Sequence, residues 1–180
     1  MVDRDEVCVL VPTYNEAATI ADVVERYRAE GFDHVLVMDG GSTDGTQELA
    51  AEAGARVIEQ SGSGKGQAVR EAVDRIDQPV VLMVDGDSTY RPEEADRMLE
   101  PLFAGEADHV IGDRFANMEP GAMTRLNRLG NRAINRAFSV IHGRNLQDIL
   151  SGYRAFTRES FQRLSLSADG FAIETELAVE

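Results

Sequence analysis

Short, unbroken apolar runs punctuate the first two thirds of the chain at 7–11, 35–38, 57–58, 80–84 and 110–111, and most of their residues are Val, Ile or Leu. Continuous rather than alternating apolarity predicts strands buried on both faces of a parallel sheet. The stretches between them have a different period. Residues 16–30 place Ile20, Val23, Val24 and Tyr27 at i, i+3, i+4 and i+7, the stripe of an amphipathic helix. Segments 46–53, 66–76 and 92–103 also have helical length, and the last opens on Pro92, which suits a first helical turn. Strand and helix alternate four times. The pattern predicts an α/β fold with a doubly wound, mostly parallel sheet flanked by helices.

Past residue 111 the pattern changes. Residues 122–141 read as one long helix whose apolar stripe is Leu126, Leu129, Ala133, Ala137 and Ile141. At about 100° per residue, Arg125, Arg128, Arg132 and Arg136 gather in an arc of about 80° beside that stripe. No acid lies between Glu119 and Asp148 to pair with them. A solvated charged face and a contact with phosphate or an anionic membrane surface both fit. There is no internal repeat or low-complexity segment, and SGSGKG at 61–66 sits between a strand and a helix rather than between domains. The 180 residues read as a single domain.

Charge sharpens this outline. Acids outnumber bases 32 to 18, a net charge of −14, which excludes nucleic-acid binding through bulk positive charge. Seventeen of the 18 bases are arginine, and Lys65 is the only lysine. Excess carboxylate with almost no lysine suits concentrated salt, where screening relieves self-repulsion; an ordinary acidic cytosolic protein is the alternative. Residues 114–163 carry nine arginines against three acids, a local +6 that leaves −20 for the rest. Such a basic block points to an anionic ligand or surface. Cys8 stands alone, so there is neither an internal disulfide nor a cysteine zinc cluster. The N-terminus lacks the basic and apolar parts of a signal peptide. No apolar run approaches the roughly 18 residues of a membrane-spanning helix.

Ligands of open α/β sheets bind beyond the carboxyl ends of the strands. Three unusual segments sit there: PTYNE at 12–16, DGGSTDGT at 39–46 and DGDS at 85–88. Period-2 geometry carried past the fourth strand would project Asp85 and Asp87 to one side, with Gly86 letting a ligand approach the backbone. Two hard oxygen donors suit Mg²⁺ or Mn²⁺ shared with a substrate diphosphate, although an Asp- and Gly-rich turn is a common structural feature too. Ser42 and Asp44 read as helix caps. Asp39, at the strand end itself, is better placed to accept hydrogen bonds from a ribose or base. Lys65, in a glycine turn ahead of a helix, favours an anion, although GSGKGQ lacks P-loop spacing.

In order, PTYNE, DGGSTDGT, GKGQAVREA, VDGDSTYRPEE, VIGDRF, SGYRAF and GFAIETEL resemble a GT-A (Rossmann-like) glycosyltransferase of family 2, in the branch of dolichyl-phosphate sugar synthases. The match spans nearly the whole chain. It is most similar to archaeal enzymes that load the first hexose onto dolichyl phosphate for surface-protein N-glycosylation, and the composition fits a haloarchaeal source. The resemblance implies that Pro12, Tyr14, Glu16, Val37 and Asp39 hold the nucleoside. It makes Asp85, Gly86 and Asp87 the D-x-D element, with Asp87 the direct ligand of Mg²⁺ or Mn²⁺. Arg114 then contacts the diphosphate or the acceptor phosphate, and Arg128, Asn131, Ser151 and Arg154 receive the lipid phosphate. Three features depart from the pattern. Gly40 stands where many relatives carry a second aspartate, and Thr89 where mannose synthases carry a Gln ligand. The chain also stops at Glu180, whereas relatives continue, often into a membrane anchor, so a C-terminal extension is expected to be missing.

These roles imply an inverting, metal-dependent transfer of a hexose from a nucleotide sugar, by subgroup a UDP-hexose, to dolichyl phosphate at the cytoplasmic face of the membrane. A phosphate monoester has its second pKa at about 6, so the nucleophile is already anionic and needs no strong base. Asp148 is the candidate if a base exists, and loop capping explains it equally well. His34, His109 and His142 are scattered and carry no chemistry. The alternatives are a mannose synthase using GDP-mannose, a family 2 transferase with a small phosphorylated acceptor, a nucleotidyltransferase and a non-catalytic sugar-nucleotide binder.

Overall fold

The apolar runs become strands of one six-stranded sheet in the computed structural model of the chain, which describes residues 2–112 and 151–163. In chain order the elements are β1 (Val7–Thr13), α1 (Ile20–Ala29), β2 (His34–Asp39), α2 (Thr46–Glu52), β3 (Arg56–Glu59), α3 (Lys65–Val73), β4 (Val80–Met83), α4 (Ala95–Phe103), β5 (His109–Ile111), β6 (Arg154–Thr157) and α5 (Arg158–Arg163). The sheet order is β3-β2-β1-β4-β6-β5. The first four strands are parallel, and β6 runs antiparallel between β4 and β5. The mostly parallel sheet flanked by helices is therefore observed. The antiparallel strand β6 and helix α5 have no counterpart in the period reading, because SGYRAF is too short and mixed to declare a strand. Arg114, Arg128, Asn131, Asp148, the 122–141 helix and the GFAIETEL segment lie outside the described residues.

Both faces of the strands are buried, which explains why their sequences are continuously apolar. Val7, Val9 and Val11 of β1 join Val35, Val37, Val80 and Leu82 beneath α1, α2 and α4. Cys8 and Leu10 join Leu36, Met38, Val81, Met83 and Phe156 beneath α3 and α5. The stripe Ile20, Val23, Val24 and Tyr27 faces the first of these layers, as its spacing predicts.

Helix boundaries shift where side chains compete for backbone groups. α1 starts at Ile20 rather than near Glu16. The amides of Asn15, Glu16 and Ala17 are donated instead to Ser42 Oγ, Thr46 Oγ1 and Asp44 Oδ2 across the neighbouring loop. Pro92 opens a short 3₁₀ turn, Pro92–Glu94, that leads into α4.

The order 3-2-1-4 makes the β1/β4 junction the place where the winding reverses. Here the two strands part. Their ladder ends at Leu10 and Met83, with Val84 N donating to Leu10 O at 3.0 Å, while β1 continues beside β2 to Thr13. By the alternation of a parallel ladder, Pro12 directs its missing N–H toward the β4 side, where pairing has already stopped. A proline in a central strand is thus accommodated, and the split leaves room for the acidic turn after β4.

Leu10 is fully buried between β2, β4 and α3. Leu10→Ala is expected to destabilise the protein by about 2–5 kcal/mol. Urea denaturation should show a lower midpoint with an unchanged slope.

Candidate active site

Three loops meet at the carboxyl end of the sheet, and the first two are laced together. Asn15, with a left-handed φ of 56°, donates its amide to Ser42 Oγ at 2.8 Å and accepts Thr43 N at 3.0 Å through Oδ1. Thr46 Oγ1 accepts Glu16 N at 2.8 Å and donates to Asp44 Oδ1 at 2.6 Å. Asp44 also accepts Ala17 N at 3.1 Å. Its hydrogen bonds, chiefly that from the Thr46 hydroxyl, hold its carboxyl below the ordinary range. Ser42 and Asp44 are therefore loop-fastening residues rather than helix caps, since the N-cap of α2 is Gly45.

Asp39 is the centre of its own loop. It sits at the tip of β2 but is fully enclosed. Its Oδ1 accepts the Thr13 and Ser42 hydroxyls at 3.3 and 2.6 Å. Its Oδ2 accepts Gly41 N, Ser42 N and Gln47 Nε2 at 2.9, 2.8 and 2.7 Å. Burial alone would raise its pKa, yet the bonds from Ser42, Gln47 and Gly41 outweigh it and the net shift is downward. Five hydrogen bonds converge on its two oxygens, so Asp39 organises the loop that follows β2. The Val37 side chain is fully buried in the layer beneath α1 and α2. Pro12 is buried at the strand split, whereas Tyr14 is 64% exposed and lies against Gly40. Among the expected nucleoside residues, Tyr14 alone presents an open aromatic face.

The third loop carries the acids. Since β4 ends at Met83, period-2 projection does not apply to Asp85 and Asp87, which sit in and before a turn. The two carboxylates are held differently. Asp85 Oδ1 accepts Lys65 Nζ at 2.6 Å, and Oδ2 accepts the Tyr90 hydroxyl at 3.2 Å. Asp87 is exposed, and its Oδ1 accepts Thr89 N at 3.0 Å. Thr19, at the start of α1, donates to Gly86 O at 2.6 Å and so ties the turn to the first loop. The expectation that Gly86 leaves room for a ligand is replaced by a tighter fact. A Cβ there would lie 3.1 Å from Thr13 Cγ2 and 3.4 Å from Glu16 Cγ, so glycine lets the turn pack onto the end of β1.

Both acids act on Glu16. Its pKa is raised first by burial and then by the charge of Asp87, with smaller contributions from Asp85 and Asp44, against a hydrogen bond from Thr19. Four carboxyl groups therefore share one electrostatic neighbourhood. Among the described residues no group of three or more His, Cys, Asp or Glu is arranged to hold a metal. Asp85 and Asp87 nonetheless fit a Mg²⁺ or Mn²⁺ that takes one or two carboxylates and completes its shell with water and phosphate oxygens. The Lys65 ammonium, next to these acids, suits a diphosphate at the same place.

Ser151 and Arg154, expected at the acceptor phosphate, are both fully buried. Arg154 Nε donates to Ser151 O at 3.0 Å, and its NH1 lies 3.4 Å from His109 Nε2. Burial and then the Arg154 charge depress His109 to about 3, so it is a neutral ring at physiological pH. The guanidinium is a structural element of β6 with no solvent access. Conversely, Tyr90 and Gly152 come into the site without having been singled out. They stand inside VDGDSTYRPEE and SGYRAF, and nothing in either segment signals that the two would meet.

The fold, with an acidic turn at the carboxyl end of its sheet, agrees with the class the comparisons give, a glycosyltransferase. Residues 8–165 match the family description "Glycosyl transferase family 2", and the chain belongs to that family. It is 70% identical over 181 residues to glycosyltransferase AglJ of Haloferax volcanii, covering 100% of this chain and 59% of AglJ. It is 41% identical to a dolichyl-phosphate hexose transferase of the same organism, over 86% of this chain and 68% of that protein. Glucosyl-3-phosphoglycerate synthase of Mycobacterium tuberculosis, solved with Mn²⁺, UDP-glucose and phosphoglyceric acid, superposes with a TM-score of 0.77 at 27% identity, over 94% of this chain and 62% of that one. The sheet is the GT-A, Rossmann-like fold of these structural neighbours. The chain spans less than two thirds of the length of AglJ. No helix among the described residues is long and apolar enough to cross a membrane.

Because Asp39 is depressed, its contribution to stability is present above the ordinary carboxylate range and is lost as pH falls through its lowered folded value. Asp39→Asn is expected to cost about 1–3 kcal/mol at neutral pH, since buried donors lose an anionic acceptor. In urea titrations across pH, the gap to wild type should narrow below about pH 4 as the wild-type carboxyl takes up a proton.

Proposed function

We propose that this protein transfers a hexose from a nucleotide sugar, a UDP-hexose, to dolichyl phosphate, inverting the anomeric carbon. The observation that carries the reading is the acidic turn at the β1/β4 split: Asp87 exposed, Asp85 fastened by Lys65 and Tyr90, Glu16 beside both. The 70% identity to AglJ and the 41% identity to a dolichyl-phosphate hexose transferase support the lipid acceptor. The likeness to a UDP-glucose-bound synthase supports the donor.

Asp87 and Asp85 would hold Mg²⁺ or Mn²⁺, which supplies compensation for the negative charge developing on the departing nucleoside diphosphate. Lys65 adds a second, fixed positive charge at the same diphosphate. Tyr14 offers its open ring to the base. The first two loops, fastened to each other through Asn15, Ser42, Asp44 and Thr46, keep the nucleoside side rigid. The acceptor phosphate attacks as an anion, so no side chain has to remove a proton from it. Arg114, Arg128 and Asn131 remain proposed phosphate ligands from sequence alone, and Asp148 is the candidate only if a base is needed. The basic 114–163 block would meet an anionic membrane surface, placing the enzyme at the cytoplasmic face of the membrane.

A second reading has its own support. The structural neighbour was solved with phosphoglyceric acid, so a small phosphorylated acceptor fits the same donor half. One assay separates the two. The protein is offered radiolabelled UDP-glucose, UDP-N-acetylglucosamine or GDP-mannose with Mg²⁺ or Mn²⁺, and either dolichyl phosphate or phosphoglycerate. Label entering the organic phase from a UDP-sugar is the expected result. Label confined to water-soluble product would overturn the lipid acceptor. Asp87→Ala is expected to reduce transfer to below about one hundredth of wild type while the circular dichroism spectrum is retained.

A further inference from the structure

The Tyr90 hydroxyl joins two parts of the chain that the transfer reaction leaves unconnected. It donates to Asp85 Oδ2 at 3.2 Å and accepts the amide hydrogen of Gly152 at 3.0 Å. A phenol can give one hydrogen and receive another, and both capacities are used here. The side chain is only 8% exposed, and its ring stacks on Tyr153 with centroids 4.8 Å apart and planes 22° from parallel. Gly152 is shaped to the same carboxylate. A Cβ at that position would stand 2.2 Å from Asp85 Oδ2, so the carboxylate occupies the space a side chain would need. With Lys65 on Oδ1, each oxygen of Asp85 has its own restraint.

We propose that Tyr90 is a positioning residue for the acidic pair. By tying Asp85 Oδ2 to the backbone just before β6, it fixes the rotamer in which Asp85, and through the short turn Asp87, present oxygens to a divalent cation and a donor diphosphate. The inference rests on the metal-and-donor reading above. A tyrosine that merely filled the gap between β4 and β6 would need its ring and not its hydroxyl. Here the hydroxyl is spent on an ionisable group of the site and on the one amide that glycine lets approach it.

The test is Tyr90→Phe, which keeps the stacked ring and removes the bridge. Mn²⁺ affinity is measured in the presence of UDP from the paramagnetic signal of free Mn²⁺, alongside the thermal unfolding midpoint. Orienting partners of ligating side chains change metal affinity by about 10–100-fold, so the dissociation constant for Mn²⁺ should rise at least about tenfold. The same change in an Asp85→Asn background should add less than about twofold, because the two side chains act as one unit. An unchanged Mn²⁺ affinity with a lowered unfolding midpoint overturns the proposal and leaves Tyr90 a packing residue. An undiminished effect in the Asp85→Asn background also overturns it, since the hydroxyl would then act elsewhere. If wild type retains no Mn²⁺ with UDP, the metal reading itself fails and this inference falls with it, an outcome distinct from the other two.

Discussion

The ion pair between Lys65 and Asp85 is the contact on which the carboxyl end of the sheet depends. Its partners come from the first turn of α3 and the segment beyond β4, and they meet at 2.6 Å with both side chains mostly shielded from water. A carboxylate so placed is oriented by what meets each of its oxygens. Tyr90 takes the second oxygen, and Gly152 clears the space it fills. Three stretches distant in the chain, at Lys65, Asp85–Tyr90 and Gly152, are thereby fastened at one point, and the exposed Asp87 two residues on inherits a defined position.

Neighbouring loops follow the same economy with a different centre. Asp39 accepts five hydrogen bonds and is enclosed, so the DGGSTDGT loop is built around its charge. Its role illustrates how an acid at a strand end can organise a whole loop. Asp85 and Asp39 look alike in sequence, each closing an apolar run. One is saturated by its own loop, whereas the other is shared among distant segments and adjoins an exposed partner.

The sheet explains why the site lies where it does. β1 and β4 separate after Leu10 and Met83, and the lost pairing coincides with a proline that could not have paired on that side. The crevice at a reversal of winding order is thus set into the strand sequences, and the acidic turn occupies its β4 side. The chain belongs to glycosyl transferase family 2 and shares the GT-A fold of its structural neighbours.

Periodicity and residue type were enough to read the strands β1 to β5, the amphipathic face of α1 and the tip positions of Asp39, Asp85 and Asp87, because each depends on local order along the chain. They were also enough to pick out Lys65, as the lone lysine of an acidic protein. What they could not supply was partnership. The burial of Arg154, the insertion of β6 between β4 and β5 and the approach of Tyr90 to Gly152 arise between residues far apart in the chain. Such contacts depend on how layers stack and which backbone lacks a Cβ at a crossing, and no spacing within a single segment encodes either. Asp85 and Asp87 therefore looked equivalent until packing gave one a lysine and a tyrosine and left the other facing solvent.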